Sequence, residues 1–285
     1  MIRFGVYSIV VPDYPMEEAA RKVAEAGYTG IEWTVGYPKA VWDGKSEWHI
    51  SESKLEDDAK KARDVAAKYN LDTPALGTRC QSDEFDKLKR LMDAAKIMKC
   101  DKVRVASHGY DGKSDYNDLF KKVRKDYETV QKIAADKGAK AAIEIHGGTI
   151  APSASAMRRL LEGFDPNCIG ATFDPGNMIR EGMENWKMGI EILGEYLIHF
   201  HVKDYGWFQD KNGKWNTQPM SFADGITDWK LILRTLKKIG YDGYLNLEDF
   251  RGGYCCKPVG ITTEAKLAEC IGYLKDTLKA VESER

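Results

Sequence analysis

Short apolar runs alternate with longer amphipathic stretches from one end of the chain to the other. The runs fall at positions 4–6, 31–33, 73–76, 102–106, 141–146, 170–173, 197–202 and 244–247 and are rich in Val, Ile, Phe and Leu. Strands of this kind are buried on both faces, as in a parallel sheet. Between them, apolar residues recur every three or four positions in MEEAARKVAEAG, KLEDDAKKARDVAAKY, EFDKLKRLMDAAKIM and NDLFKKVRKDYETVQKIAADKG. The same helical period returns in SASAMRRLLEGF, WKMGIEILGEY, WKLILRTLKKIG and TEAKLAECIGYLKDTLKAVE. Acidic residues gather near the helix starts and Lys or Gly near the ends, in keeping with the helix dipole. Eight strand–helix pairs in 285 residues predict an α/β fold, a single (β/α)8 TIM barrel. A doubly wound sheet would need a glycine-rich first turn, which GVYSIV is not. No Pro-, Ser- or Gly-rich linker interrupts the pattern, so one domain spanning 1–285 is expected.

Strand alternation sorts the polar residues. In the fifth strand Ile143 and Ile145 share one face, and Glu144 and His146 the other. In the seventh, Ile198, Phe200 and Val202 oppose His199, His201 and Lys203; in the eighth, Leu245 and Leu247 oppose Asn246 and Glu248. Thr172 and Asp174 share a face of the sixth. The apolar set belongs under the helices, so the polar set points into the barrel. Ionisable groups there are costly unless paired or bound to metal. Glu144, Asp174, His201 and Glu248 lie at the C-terminal ends of consecutive strands, where barrel active sites sit. Three carboxylates and an imidazole suit one divalent ion, Mn²⁺ foremost, with Mg²⁺, Co²⁺ or Zn²⁺ as alternatives.

The segments AIEIHGG, TFDPGN, HFHVKD and LNLEDF, in this order, resemble the xylose-isomerase-like TIM barrels. GYTGIE at the second strand and DGITDW before the seventh helix extend the resemblance along the whole chain. That superfamily holds sugar isomerases, ketose 3-epimerases, inosose-processing enzymes and endonuclease IV. The resemblance implies Glu144, Asp174, His201 and Glu248 as metal ligands, with Glu144 and Glu248 also exchanging the substrate proton. One departure changes the expectation. Many relatives carry Asp-x-x-His after the sixth strand, whereas this chain has Asp174-Pro175-Gly176-Asn177. Asn is neither a base nor a good ligand, so a mononuclear site is expected, with Asn177 facing substrate.

Further candidates follow from position. His146 can act as a general base or orient a ligand. Lys203 can neutralise an enolate or bind hydroxyls, or else close a salt bridge. Arg79, Arg104 and His108, near the third and fourth strand ends, are expected to face substrate or form structural ion pairs. His199, one layer deeper than His201, reads as a satisfied core histidine or one that supports a ligand from behind. Trp33, Trp42, Trp48, Trp207 and Trp215, with Tyr7, Tyr37, Tyr205 and Phe208, gather where loops should be and suit the apolar faces of a sugar, or else loop packing or a subunit contact. The loop 205–228 is long enough for a lid or for an interface in a homo-oligomer. Gly252 and Gly253 are a weak phosphate signal, and Cys255–Cys256 carries no assigned chemistry.

Charge and cysteines narrow the partners. A net charge of −1 opposes binding to nucleic acid, and no apolar run is long enough for a membrane. Six cysteines without a C-x-x-C pair, and an N-terminus without signal-peptide features, suggest free thiols and a cytoplasmic enzyme. The expected reaction is proton abstraction next to the carbonyl of a ketose or keto-sugar through a metal-stabilised enediolate. Proton return makes the enzyme an isomerase or epimerase in carbohydrate metabolism. Expulsion of a β-leaving group makes it a lyase or dehydratase on a keto-sugar, keto-glycoside or inosose. A nuclease of the AP-endonuclease type is opposed by the charge and by the missing histidines.

Overall fold

The computed structural model describes residues 1–36, 49–251 and 260–284. Seven barrel strands come first: β1 (Arg3–Tyr7), β2 (Gly30–Thr34), β3 (Leu76–Cys80), β4 (Lys102–Val105), β5 (Lys140–Glu144), β6 (Ile169–Phe173) and β7 (Leu197–Val202). A hairpin, β8 (Asp204–Gln209) and β9 (Trp215–Met220), precedes the last barrel strand, β10 (Tyr244–Leu247). Neighbours in the barrel pair in parallel, and β10 bonds to both β7 and β1, closing the ring. The helices are α1 (Met16–Glu25), α2 (Leu55–Lys68), α3 (Phe85–Ile97), α4 (Tyr116–Lys137) and α5 (Ala154–Leu161). They continue with α6 (Pro175–Arg180), α7 (Trp186–Leu193), α8 (Trp229–Lys238) and α9 (Thr263–Ser283). The (β/α)8 barrel expected from the sequence is the fold.

Local chemistry starts the helices where the pattern placed them, and also starts α6, a short helix that the pattern did not place. Asp115, Ser153, Asp174, Asn185, Asp228 and Thr262 each accept a first-turn backbone N–H of α4 to α9. Apolar residues fill the layer between sheet and helices, where Phe173 and Phe200 stack at 5.1 Å. Ile31, Val105, Ile143, Leu245 and Leu247 are fully buried. The barrel interior takes the other parity: Glu32, Glu144, Thr172, His199, His201 and Asn246 are buried there, and all but Thr172 pair among themselves or with cations. Two glycines make room for this. A Cβ at Gly77 would collide with the Tyr7 ring, and one at Gly176 with the Lys203 side chain.

Two expectations change. The third strand is Leu76–Cys80, not 73–76. Pro74 has no N–H to give a ladder, and pairing with β2 begins only at Leu76 opposite Trp33. The loop 205–228 is largely the β8–β9 hairpin, turned at Asp210–Gly213. Its root is tied to the Asp204 carboxylate, which accepts from Tyr205 N (2.8 Å), Ile226 N (3.0 Å), Thr227 Oγ1 (3.0 Å) and Trp229 Nε1 (2.8 Å). A Cβ at Gly225 would strike that carboxylate, which gives DGITDW its physical reason. Trp207 and Trp215 on the hairpin are 45% and 61% exposed. No helix among the described residues is long and apolar enough to cross a membrane.

Candidate metal centre

Glu144 ends β5, Asp174 follows β6 directly, His201 is the fifth residue of β7, and Glu248 follows β10. The barrel converges these four positions: each offers a ligand atom, all within 4.8 Å of one another, and all four residues are buried. His201 Nδ1 faces Glu144 Oε1 at 3.2 Å, Glu248 Oε2 at 3.6 Å and Asp174 Oδ2 at 3.9 Å. Its other nitrogen, Nε2, lies 3.1 Å from Glu32 Oε2. The ring is stacked on Tyr7 (5.4 Å between centroids) and set edge-on to His199 (5.3 Å).

Cations and amides brace the carboxylates. Arg104 donates from Nε to Glu144 Oε2 at 2.7 Å, with Nη2 on the same oxygen. Lys203 Nζ lies 2.7 Å from Asp174 Oδ2 and also bonds Glu248 Oε2. Asn177 Nδ2 donates to Asp174 Oδ2 (2.9 Å), Ile145 O (3.0 Å) and Glu144 Oε1 (3.3 Å). Asn177 therefore bridges two candidate ligands.

These surroundings set the charges. Burial opposes ionisation of Glu144, but Arg104, His201 and Lys203 outweigh it and hold the carboxyl well below the usual range. Glu248 is likewise lowered against its burial, chiefly by Lys203. Asp174 goes the other way: burial, reinforced by Glu248 and Glu144 against the pull of Lys203, pushes it up to about 7. Burial disfavours the charged forms of His201 and Lys203, yet the surrounding carboxylates raise both well above their ordinary values. Four buried carboxyl groups (Glu32, Glu144, Asp174, Glu248) thus outnumber three basic groups, Arg104, Lys203 and His201, and Asp174 is the one left short of a counter-charge. That acidic excess, in a tight set of hard oxygen donors with one imidazole, fits a divalent ion.

The remaining candidates divide. His146 is partly buried beside Glu144; burial lowers its imidazole below the ordinary value, and Nδ1–H donates to Gly147 O at 2.7 Å. His108 is partly buried, with a buried Nδ1 that has no hydrogen-bond partner. A bridge between Gly109 and Thr149 joins the loops that carry these two histidines. Arg79 is exposed near the end of β3. Trp33 is fully buried on the opposite parity from Glu32, its ring 5.5 Å from His49. Neither Arg79 nor Trp33 is brought into the cluster. Tyr37, Trp42, Trp48, Gly252, Gly253, Cys255 and Cys256 lie outside the described residues. Cys80, Cys100, Cys168 and Cys270 are buried free thiols.

Sequence reasoning missed Glu32. It bonds His199 Nε2 at 2.8 Å, His201 Nε2 at 3.1 Å and Asn246 Nδ2 at 2.7 Å. The available signal was a carboxylate between Ile31 and Trp33 in an otherwise apolar strand.

Fold and site together define a (β/α)8 barrel with a buried carboxylate–imidazole cluster of metal-ligating type at its C-terminal mouth. The chain belongs to the xylose isomerase-like TIM barrel family, whose model matches residues 20–277. An inosose dehydratase of Clostridium botulinum is 24% identical over 259 residues, 81% of each chain. Among solved structures, an L-ribulose 3-epimerase superimposes with a TM-score of 0.75 at 16% identity, covering 99% of this chain and 96% of that one. A xylose isomerase-like barrel protein from Mycobacterium smegmatis, in complex with magnesium, gives 0.67 at 18% identity, covering 95% and 91%.

Proposed function

We propose that the protein is a divalent-metal-dependent sugar isomerase or epimerase that removes a proton next to the carbonyl of a ketose or keto-sugar. The observation that carries this reading is the convergence of Glu144, Asp174, His201 and Glu248 within 4.8 Å at the barrel mouth. When bound, the ion, Mn²⁺ foremost, supplies a Lewis acid that polarises the carbonyl and stabilises charge developing on its oxygen. The chain's own residues do the rest. Arg104 and Asn177 fix Glu144, which leaves it a firm ligand and a weak base. Glu248 is held by the Lys203 ammonium, which it shares with Asp174, and is the better placed to carry a proton. The Lys203 ammonium can turn from Asp174 and Glu248 towards an oxyanion.

A second reading, dehydration of an inosose or keto-sugar, is favoured by His146 and by the C. botulinum relative. An imidazole whose partial burial favours the neutral form is ready to accept a proton, and a second base suits expulsion of a β-leaving group. One experiment tests both readings. The Mn²⁺-loaded protein is incubated in D₂O with ketoses, 3-keto-sugars and inososes, followed by NMR of the α-hydrogen and of the products. Exchange with an epimeric or isomeric product supports the first reading, and exchange with an enone-type product the second. Absence of exchange and turnover across the panel rejects the shared step.

A further inference from the structure

Glu32 takes no part in the proton transfer described above, yet it is fully buried in the middle of β2. A carboxylate removed from water needs donors. Its Oε2 has three nitrogens within reach: Asn246 Nδ2 at 2.7 Å, His199 Nε2 at 2.8 Å and His201 Nε2 at 3.1 Å. Oε1 adds a second approach to His201 Nε2 at 3.3 Å. A carboxylate only accepts, so each of these nitrogens donates an N–H. The two ring nitrogens of His201 therefore have separate duties, with Nε2 towards Glu32 and Nδ1 towards the quartet. An imidazole ligates through a nitrogen that carries no proton, and the hydrogen bond made by the other nitrogen decides which one that is.

We propose that Glu32 is a positioning residue for the metal centre: it keeps the Nε2 proton of His201, so that the ring presents Nδ1 to Glu144, Asp174 and Glu248. The inference rests on the metal reading of that quartet. The packing of the ring agrees, since Tyr7 stacks on one face and His199 abuts it edge-on. Glu32, His199 and His201 also bring one ligand atom each within 4.8 Å of the others, which raises a second metal site as the competing account. The geometry favours a hydrogen-bonded knot. Ligands around an ion with bonds of about 2.0–2.2 Å face the ion, not one another. Here three nitrogens converge directly on one carboxylate oxygen, and a shared His201 would have to surrender both ring protons.

The test is Glu32→Gln. Glutamine has nearly the same shape but no charge, and with its oxygen in the place of Oε2 its NH₂ takes the place of Oε1 and meets the Nε2–H of His201, 3.3 Å away, donor to donor. By titration calorimetry with Mn²⁺ alone, wild type should bind one ion and the variant should bind about 10–100-fold more weakly. Glu32→Asp, which keeps a carboxylate, should recover part of that loss. A purely structural role would lower the melting temperature without moving the tautomer, so the second readout is long-range ¹H–¹⁵N correlation on [¹⁵N]His protein loaded with Zn²⁺. It should place the His201 proton on Nε2, and it decides the matter on wild type alone if the variants fail to fold. Equal Mn²⁺ affinity in wild type and Glu32→Gln, a proton on Nδ1, or two ions per chain would each overturn the proposal and leave the quartet reading standing. Wild type that binds no divalent ion removes the quartet reading itself, and this inference with it.

Discussion

The two ends of the barrel both carry charge and treat it in opposite ways. At the base, a cavity of about 590 Å³ opens among residues that include Arg3, Arg63, Asp72, Lys99, Asp101 and Lys102. Its charges are wet: Arg3 and Asp72 pair at 3.1 Å with side chains 47% and 64% exposed. At the mouth, Lys203 and Asp174 pair at 2.7 Å with side chains 3% and 0% exposed. Exposed pairs contribute about 0–1 kcal/mol, whereas stripping the partner from a buried charge costs about 3–5 kcal/mol. The mouth therefore holds charges that a merely stable barrel would replace by apolar residues. A cavity alone would draw attention to the base; desolvated, convergent charge points to the mouth. We take the second as the mark of function.

The largest effect should come from Asp174→Asn. Asparagine keeps the N-cap, because its side-chain oxygen can still accept from Asn177 N, now 2.9 Å from Asp174 Oδ1. It also matches the neutral acid that burial favours at this position. The fold should survive, while Mn²⁺ binding and turnover fall close to background. Elemental analysis and circular dichroism on the same sample check this, and an ion held at full occupancy would empty the comparison of meaning.

The two glutamates should then separate. Glu248→Gln leaves Lys203 its Asp174 partner, so stability should hold while turnover drops by about 10²–10⁴. Glu144→Gln removes the charge opposite Arg104 and should lose stability as well, by no more than about 3 kcal/mol since Gln still accepts a hydrogen bond. Urea unfolding and steady-state rates, measured side by side, read the two effects. Equal stability loss in both variants would show that the two glutamates are not braced differently.

Much of this contrast was legible in the chain. Strands buried on both faces read as apolar runs, and alternation alone put Glu144, Asp174, His201 and Glu248 on the inner face. The third strand was displaced because Thr78 and Arg79 dilute its apolar character while Pro74 sits in a run that looks extended. The hairpin was hidden because an exposed two-stranded ribbon buries too little to leave an apolar signature. Glu32 stood out only as a lone carboxylate in an apolar strand, and its pairing was out of reach for another reason. Its partners His199 and His201 lie 167 and 169 residues away, and only closure of the barrel brings them together. Whether Arg104 met substrate or a carboxylate was likewise open until the register set β4 beside β5.

His49 sharpens the comparison, since it is buried as deeply as the mouth but has no counter-charge among the described residues. It is 4% exposed, with Nε2 3.2 Å from Tyr14 O, and burial pushes it down to about 4, whereas carboxylates push His201 up. The unfolded chain protonates His49 near 6.5, well before the folded chain does. The stability tied to neutral His49 is therefore complete above pH 6.5 and drains away as pH falls towards 4, by about 3 kcal/mol across the interval. His49→Leu should lose less stability than wild type between pH 7 and pH 4.5. Parallel losses in the two proteins would mean that the folded state accommodates a charged His49.

The smallest effect belongs to the base, and its smallness is the point. Arg3 pairs with Asp72, donates to Asp242 O at 3.2 Å and lies 4.3 Å over the Tyr244 ring, so it looks well connected. Nearly half of its side chain nevertheless stays in water, where screening and side-chain entropy cancel most of the attraction. Arg3→Gln should lower stability by less than about 1 kcal/mol, a shift of a few degrees at most in melting temperature. Half-molar salt should shrink even that difference, since it screens the exposed pair and barely reaches the buried one at the mouth. Mn²⁺ affinity and turnover should match wild type. Loss of either in Arg3→Gln would show that the base takes part in the chemistry, and the division between the two ends of the barrel would have to be redrawn.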